Sequence, residues 1–331
     1  MTLGGCPSSK WHFHCVTTQI ALAFVFKSQH TTIAMSSKDR SPDTATRYVL
    51  ITPARNEVAH IGITIESVVS QTVRPLRWVI CVNDSTDGTE AIAQLHAQSH
   101  SFITVAGLTI GGRRSFKNKA VAVAKGFEIL AALAFDFVGV LDADISVGAH
   151  YFEQILAKFG SQPRLGLAAG RHVEWHRNRS RRVLSQPEDI AVGGNQFFRR
   201  ACFSQIRGYR PLSWGGVDTL AGIMARMHGW ETQTFPDIEY SHRREMGTEG
   251  VANILQTRWL NGVRDQKLGM DPFFAVLKAV RRLLESPLIL GNSAWLLGYV
   301  CGYALTDDLE VPVVCRKFHR AEQMQRLRRL F

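Results

Sequence analysis

Three short apolar runs in the first half of the chain each stop abruptly on a polar cluster, and a segment with helical spacing separates them. Tyr48 to Thr52 (YVLIT) is closed by Pro53 and delivers Ala54, Arg55, Asn56 and Glu57 onto a loop. Arg77 to Val82 (RWVICV) stops at Asn83-Asp84-Ser85-Thr86-Asp87-Gly88-Thr89, a cluster of turn and helix-capping residues. Phe137 to Leu141 (FVGVL) ends on Asp142-Ala143-Asp144. His60 to Gln71 places Ile61, Ile65, Val68 and Val69 on one side of a helix, a second helix is expected through Ala97, and a third from Asn118 to Ala134. Buried strands alternating with amphipathic helices predict an α/β fold: a mainly parallel, Rossmann-like sheet with helices on both faces. Ligands of such sheets bind beyond the carboxyl ends of the strands, where all three polar clusters lie.

The length of 331 residues accommodates two or three domains, or one large α/β domain with an appendage. With 45% hydrophobic and 20% charged residues, disorder and collagen-like repeats are excluded, and no repeat period suggests a solenoid. Leu165 to Gly170 reads as a further strand, Arg171 to Arg182 as a polar loop or flap, and Val192 to Arg199 as a strand entered through two glycines. Trp214-Gly215-Gly216-Val217-Asp218 opens a helix that runs to about His228 and is terminated by Gly229. From Pro272 onward the chain reads as helical. In Phe273 to Glu285 the residues Lys278, Arg281, Arg282 and Glu285 form one polar stripe opposite an apolar face, and Pro287 to Leu305 is a borderline membrane span at best. The expected organisation is a mobile N-terminal extension (1–46), a catalytic domain (47–245) and a helical C-terminal extension (246–331). Residues 15–26 are too short an apolar run to cross a membrane. Met35 offers an alternative start, which would make residues 1–34 dispensable. Six scattered cysteines without a CxxC pair read as free thiols in a reducing compartment, favouring the cytoplasm.

The formal net charge is +11, with +4 between Arg171 and Arg182 and +5 between Arg316 and Arg329. Such clusters attract phosphate-rich ligands, nucleic acid or an anionic membrane surface, and charge alone does not choose among them. Two carboxylates one residue apart on a tight turn, Asp142 and Asp144, can converge on Mg²⁺ or Mn²⁺, although the same residues could cap the following helix. Asp84, Asp87 and Glu57 are open to the same two readings, helix cap or contact with a base or ribose. Lys119 could hold a phosphate or be solvated.

In order and spacing, ITPARNE (Ile51 to Glu57), NDSTDGT (Asn83 to Thr89), KNKAVAVAKG (Lys117 to Gly126) and LDAD (Leu141 to Asp144) resemble the donor-binding half of family 2 glycosyltransferases. GGNQFFRR (Gly193 to Arg200) and WGGVDTLAGIMARMHGW (Trp214 to Trp230) resemble its acceptor-side segments. The resemblance implies a GT-A fold, a nucleotide-diphosphate sugar donor, a divalent metal and inversion at the anomeric carbon. It implies that Ala54, Glu57 and Asp84 contact the nucleoside, that Asp142 and Asp144 contact ribose and metal-bridged diphosphate, and that Asp218 is the base. His242, in YSHRR, resembles a late histidine that completes the metal shell. The turn NDSTDGT is one residue shorter than the common form, which leaves the base contact open between Asp84 and Asp87, and Val217 replaces the acidic residue that often precedes the catalytic aspartate. Gln256 to Trp259 lacks one residue of the QxxRW signature of processive synthases, which disfavours polymer extrusion. The expected acceptor is a glycan or lipid-linked sugar, with peripheral attachment to the cytoplasmic membrane face through the basic tail and the helix near Phe273. A nucleotidyltransferase is the enzymatic alternative, but the loop after the first strand has no glycine. A nucleic-acid-binding module is the other; its basic clusters lack the interleaved aromatics that stacking platforms require, so nucleic acid is not the expected partner.

Overall fold

β-branched and aromatic side chains dominate the three apolar runs, and in the computed structural model all three are interior strands. The structure describes residues 47–112, 115–175, 181–183, 188–191, 193–242, 251–282, 288–305 and 310–329. The N-terminal extension, the start at Met35, most of the basic segment after Trp175, and Arg243 and Arg244 lie outside the described residues.

β1 (Tyr48–Ala54) pairs in parallel with β2 (Arg77–Asn83) on one side and with β4 (Phe137–Leu141) on the other, and β3 (Ile103–Leu108) adds in parallel to β2. Helices α1 (Ile61–Val69), α2 (Thr89–Ser99) and α3 (Phe116–Leu130) make the crossovers. Sequence periodicity does not single out β3, an edge strand in which only Ile103 is fully buried. Beyond β4 come β5 (Ile145–Val147), α4 (Tyr151–Ser161), β6 (Leu165–Trp175), β7 (Arg181–Val183), β8 (Asn195–Arg199), α5 (Arg200–Gln205), α6 (Val217–Met227) and β9 (Glu231–His242). The sheet order is β3-β2-β1-β4-β8-β6-β9-β5, with β7 on β6; six of the nine strands run one way and β5, β7 and β8 oppose them.

Because side chains alternate along a strand, β1 serves two cores. Val49 and Ile51 meet Ala120 and Val123 of α3 and a cluster that reaches Leu220 and Ile223 of α6, whereas Tyr48 and Leu50 join Ile61 and Ile65 of α1 with Phe152 and Ile155 of α4. Each such aliphatic side chain, fully removed from water, contributes about 1.5–3 kcal/mol. Helices therefore cover both faces, as the alternation requires.

One expectation is corrected here. Arg171 to Trp175 is not a loop but the second half of β6, paired with β9 and β7. Its polar side chains misled because His172 and Glu174 are buried, 6% and 4% exposed, at the strand ends that face the ligand crevice.

The C-terminal segment forms α7 (Val251–Lys267), α8 (Pro272–Arg281), α9 (Leu288–Ala304) and α10 (Val313–Arg328). α7 and α9 touch backbone to backbone at Gly262 and Gly298, where any side chain would overlap the other helix at Trp295 or Trp259. No described helix is long and apolar enough to cross a membrane. α8 starts where Asp271 caps the Phe273 backbone N–H at 2.9 Å with proline next in line, and ends at Arg281. Its faces also differ from expectation. Lys278 turns inward to a 2.6 Å ion pair with Asp265, which also accepts the Trp295 indole N–H, and Phe273, Val276 and Val280 are left exposed. α10 is fastened to α6 by Arg226, whose Nη2 donates to Glu322 at 3.0 Å. Among the described residues Cys81, Cys202, Cys301 and Cys315 are free thiols.

Candidate active site

The strand ends of β1, β2 and β4 open into a cavity of about 640 Å³. Ala54 and Glu57 form one wall, Lys119, Asp142 and Asp144 the floor, and His242, Trp214 and the α7 residues Thr257, Leu260, Asn261 and Arg264 the far side. Of the residues singled out by sequence, Ala54, Glu57, Lys119, Asp142, Asp144 and His242 are thus brought together.

Each is held by local chemistry. β1 is not closed by Pro53 but runs through it to Ala54, in register with Cys81 and Val82 of β2; the Glu57 carbonyl then accepts the His60 and Ile61 N–H groups that start α1, while the Glu57 N–H donates to the Thr89 hydroxyl at 2.8 Å. Ser115 caps α3 and so fixes Lys119 one turn into that helix. The Lys119 ammonium meets both oxygens of Asp142, at 2.6 and 2.9 Å. Burial alone would lower the Lys119 pKa, but Asp142, Asp218 and Asp144 together hold it above the ordinary value. Burial raises the Asp142 pKa, with Asp144 adding to the rise and Lys119 opposing it. Asp144, 8% exposed, has its Oδ1 3.4 Å from Nε2 of His242. That approach is made by the antiparallel pairing of β5 and β9, which sets Ile145 opposite His242.

Asp218 is outside the cavity lining but is tied to it through two glycines. The Gly193 N–H donates to Asp218 Oδ2 at 3.2 Å, and the Asp142 N–H donates to the carbonyl of Gly194 at 2.7 Å. Gly193 has φ +114°, and a Cβ there would strike the Tyr240 hydroxyl; a Cβ on Gly194 would strike the Asp142 carboxylate. Only glycines allow this approach. Asp84 is placed differently: its carboxylate accepts the Gly111 N–H at 2.9 Å and does not line the cavity. Asp87 accepts from the Thr89 hydroxyl and N–H and from the Val58 N–H at 3.0 Å, the work of a helix cap.

Comparison with known proteins gives the family and the fold. The sequence model described as Glycosyl transferase family 2 matches residues 49–226, more than half of the chain. The chain belongs to that family. Among solved structures, the glycosyltransferase is similar to the mannosyltransferase PcManGT from Pyrobaculum calidifontis in complex with GDP-Man and Mn²⁺, at 18% identity and TM-score 0.52 over 86% of this chain and 87% of that one. It is also similar to S. aureus TarS 1-349 in complex with UDP-GlcNAc, at 16% identity and TM-score 0.50 over 83% and 78%. These likenesses carry the GT-A fold. No curated protein sequence matches the chain.

The glycosyltransferase also presents residues that sequence reasoning passed over. Arg55, Asn83 and Asn195 carry buried side-chain atoms without hydrogen-bond partners, and the first two line the cavity. His172 stacks on Tyr240 with ring centroids 5.3 Å apart and lies 5.4 Å from the His242 ring; burial and His242 lower its pKa to about 4. Period-two spacing of His172 and Glu174 was the available signal, masked by the arginines around them.

The donor set fits a divalent cation of the kind the family implies. A carboxylate and an imidazole converge at Asp144 and His242, with Asp142 on the same turn. Among the described residues no three His, Cys, Asp or Glu side chains form a ready cage. Magnesium-type sites need none, since one or two carboxylates suffice when substrate phosphates complete the shell.

Proposed function

We propose that this glycosyltransferase inverts the anomeric centre, moving a sugar from a nucleotide-diphosphate sugar to a hydroxyl of a glycan or lipid-linked acceptor, with Mg²⁺ or Mn²⁺ and Asp218 as the base. One observation carries the reading: Lys119, Asp142, Asp144 and Asp218 form a single electrostatic cluster, with Asp218 reaching it through Gly193 and Gly194. The nucleotide sugars in the PcManGT and TarS structures, GDP-Man and UDP-GlcNAc, support a donor of the same chemical class.

In this reading Ala54 and Glu57 bind the nucleoside, and Asp84 orders the loop at Gly111 beside it. Asp144 and His242 hold the metal, with Asp142 next to them. When bound, the metal neutralises charge on the leaving diphosphate. Lys119 opposes the burial that raises the Asp142 pKa and holds that carboxylate in place, and its ammonium lines the same cavity, where it can share in phosphate binding. Inversion requires the acceptor hydroxyl to attack from the face opposite the leaving nucleotide. Asp218, at the first turn of α6, accepts the hydroxyl proton as the new bond forms. Trp214 supplies a flat apolar surface for a sugar ring. The nucleotidyltransferase and nucleic-acid alternatives are superseded by the family membership.

The test is a screen of UDP-, GDP- and dTDP-sugars for manganese-dependent release of nucleoside diphosphate, with the anomeric configuration of the product read by NMR. An inverted product formed by wild type and lost in Asp218→Asn is expected. A retained configuration would overturn the mechanism.

Peripheral attachment at the cytoplasmic membrane face rests on a different observation. Phe273, Val276 and Val280 of α8 and Ile289, Leu290, Leu297 and Val300 of α9 are all more than half exposed. In the basic tail Arg326 pairs with Asp189 and Glu322, and it is the exposed apolar face that carries this proposal. Sedimentation with anionic vesicles, lost in Phe273→Ser/Val276→Ser, is expected; absence of any vesicle binding at low salt would defeat it.

A further inference from the structure

The donor cavity shares two walls, Trp214 and Arg264, with a second cavity of about 220 Å³ between residues 212–215 and helices α7, α9 and α10. Among the described residues three cations line it, Arg264, Lys267 and Arg316, and one carboxylate, Glu310. That carboxylate is engaged, accepting the Ser213 N–H at 2.7 Å and the Ser213 hydroxyl at 2.6 Å. Lys267 donates to the Leu305 carbonyl, and among the described residues no carboxylate pairs with it. Arg264 sits 3.4 Å from Asp265, a carboxylate that Lys278 holds at 2.6 Å, and its Nε is buried without a partner. Among the described residues no carboxylate pairs with Arg316.

Gln266 provides the second, independent sign of a ligand. It lines the same cavity, is 3% exposed, and its side-chain oxygen has no hydrogen-bond partner. A buried amide or guanidinium atom left unbonded is destabilising, and that cost is offset where a ligand supplies the missing bond. The Gln266 oxygen can accept from a ligand hydroxyl, or the amide can turn over and donate. A surplus of positive charge among the described lining residues, the unpartnered Arg264 Nε and a volume below that of a typical nucleotide pocket together describe an oxyanion site.

We propose that this second cavity binds a phosphate group of the acceptor, so that the acceptor is a phosphate-bearing glycan or lipid whose hydroxyl reaches Asp218 past Trp214. The assignment of the phosphate to the acceptor rests on the glycosyltransferase mechanism above, because the donor phosphates have their own place beside Lys119 and Asp144. Arg264, a wall of both cavities, links the two.

Titration calorimetry on the full chain tests this, with glycerol 3-phosphate and a short-chain phosphatidic acid as probes and manganese with UDP or GDP measured on the same samples. Arg316→Glu is expected to weaken the phosphate probes about tenfold or more, Arg316→Lys to stay within about threefold, and Lys317→Glu, an equal charge change at an exposed neighbour, within about twofold. Comparable affinity for the two probes assigns the phosphate to a water-soluble or polymeric acceptor. Tighter binding of the lipid, reduced by Phe273→Ser, assigns it to a lipid carrier. Binding that is absent at millimolar probe, or indifferent to Arg316→Glu, overturns the site while manganese-dependent nucleotide binding persists. Loss of that nucleotide binding in the wild type defeats the donor reading instead.

Discussion

The two halves of the sheet reach one cavity by different routes. In the donor half, β1, β2 and β4 run parallel, and each delivers its polar residues directly from its own end; Asp142 and Asp144 share one turn. In the other half the cavity residues arrive by pairing between distant segments. His242 comes to Asp144 because β9 lies antiparallel to β5, and Asp218 comes to Asp142 because two glycines ahead of β8 bridge them. The first arrangement is specified by local order, the second by long-range register and by the absence of side chains. The donor half should therefore tolerate conservative changes around its acids, whereas the second half should fail at single contacts.

The sharpest break concerns Asp218. Asn at this position keeps an oxygen for the Gly193 N–H but cannot take a proton, so kcat should fall about 10²- to 10⁴-fold with donor KM nearly unchanged. Steady-state kinetics decide it, and transfer within tenfold of wild type removes Asp218 as base. Next in size is Asp144→Asn. It leaves His242 without its carboxylate neighbour and should weaken manganese activation by about 10- to 100-fold, read from the metal dependence of donor binding. An unchanged manganese midpoint would show that the ion is not held there.

How much of this was legible follows from the same contrast. The strand ends, expected at Thr52, Val82 and Leu141 and observed at Ala54, Asn83 and Leu141, could be read to within two residues because each apolar run stops on a polar cluster. α1, expected over His60 to Gln71 and observed over Ile61–Val69, differs only at its margins, whereas the edge strand β3 was missed, because partial exposure of all but Ile103 weakens the pattern. His172 and Glu174 were not legible, because buried polar groups at a site look like loop residues until their strand partners are known. The exposed face of α8 was likewise hidden. Which stripe of that helix turns inward depends on Asp265 and Trp295, neither of which lies on it.

Gly194 tests the role of missing side chains. An added methyl would overlap the Asp142 carboxylate and approach Ile145 Cδ1 at 2.8 Å, so Gly194→Ala should destabilise by about 1–3 kcal/mol and raise donor KM. Gly160, in α4, has no atom within 4 Å of such a methyl, and Gly160→Ala should be neutral or slightly stabilising. Denaturant midpoints of the two variants separate the outcomes; equal midpoints would mean that the β8 approach has slack.

The smallest effect is expected farthest from the cavity, where Glu322 fastens α10 to α6. Burial works against its charge, but the His319 imidazole 3.7 Å away, the hydrogen bonds from Arg226 and the charges of Arg226 and Arg326 hold the carboxyl down to about 2. A carboxyl with a depressed folded-state pKa adds stability that is fully present above its unfolded value of 4.5 and is lost as pH falls toward 2. With the side chain 14% exposed and its partners partly solvated, about 1–2 kcal/mol is expected at neutral pH. Glu322→Gln should therefore melt below wild type at pH 7, with the gap narrowing under pH 4.5 and nearly closed by pH 2. A gap that stays constant across that window would mean that α10 is held by apolar contacts such as Cys315 and Phe318, with the ion pair contributing nothing.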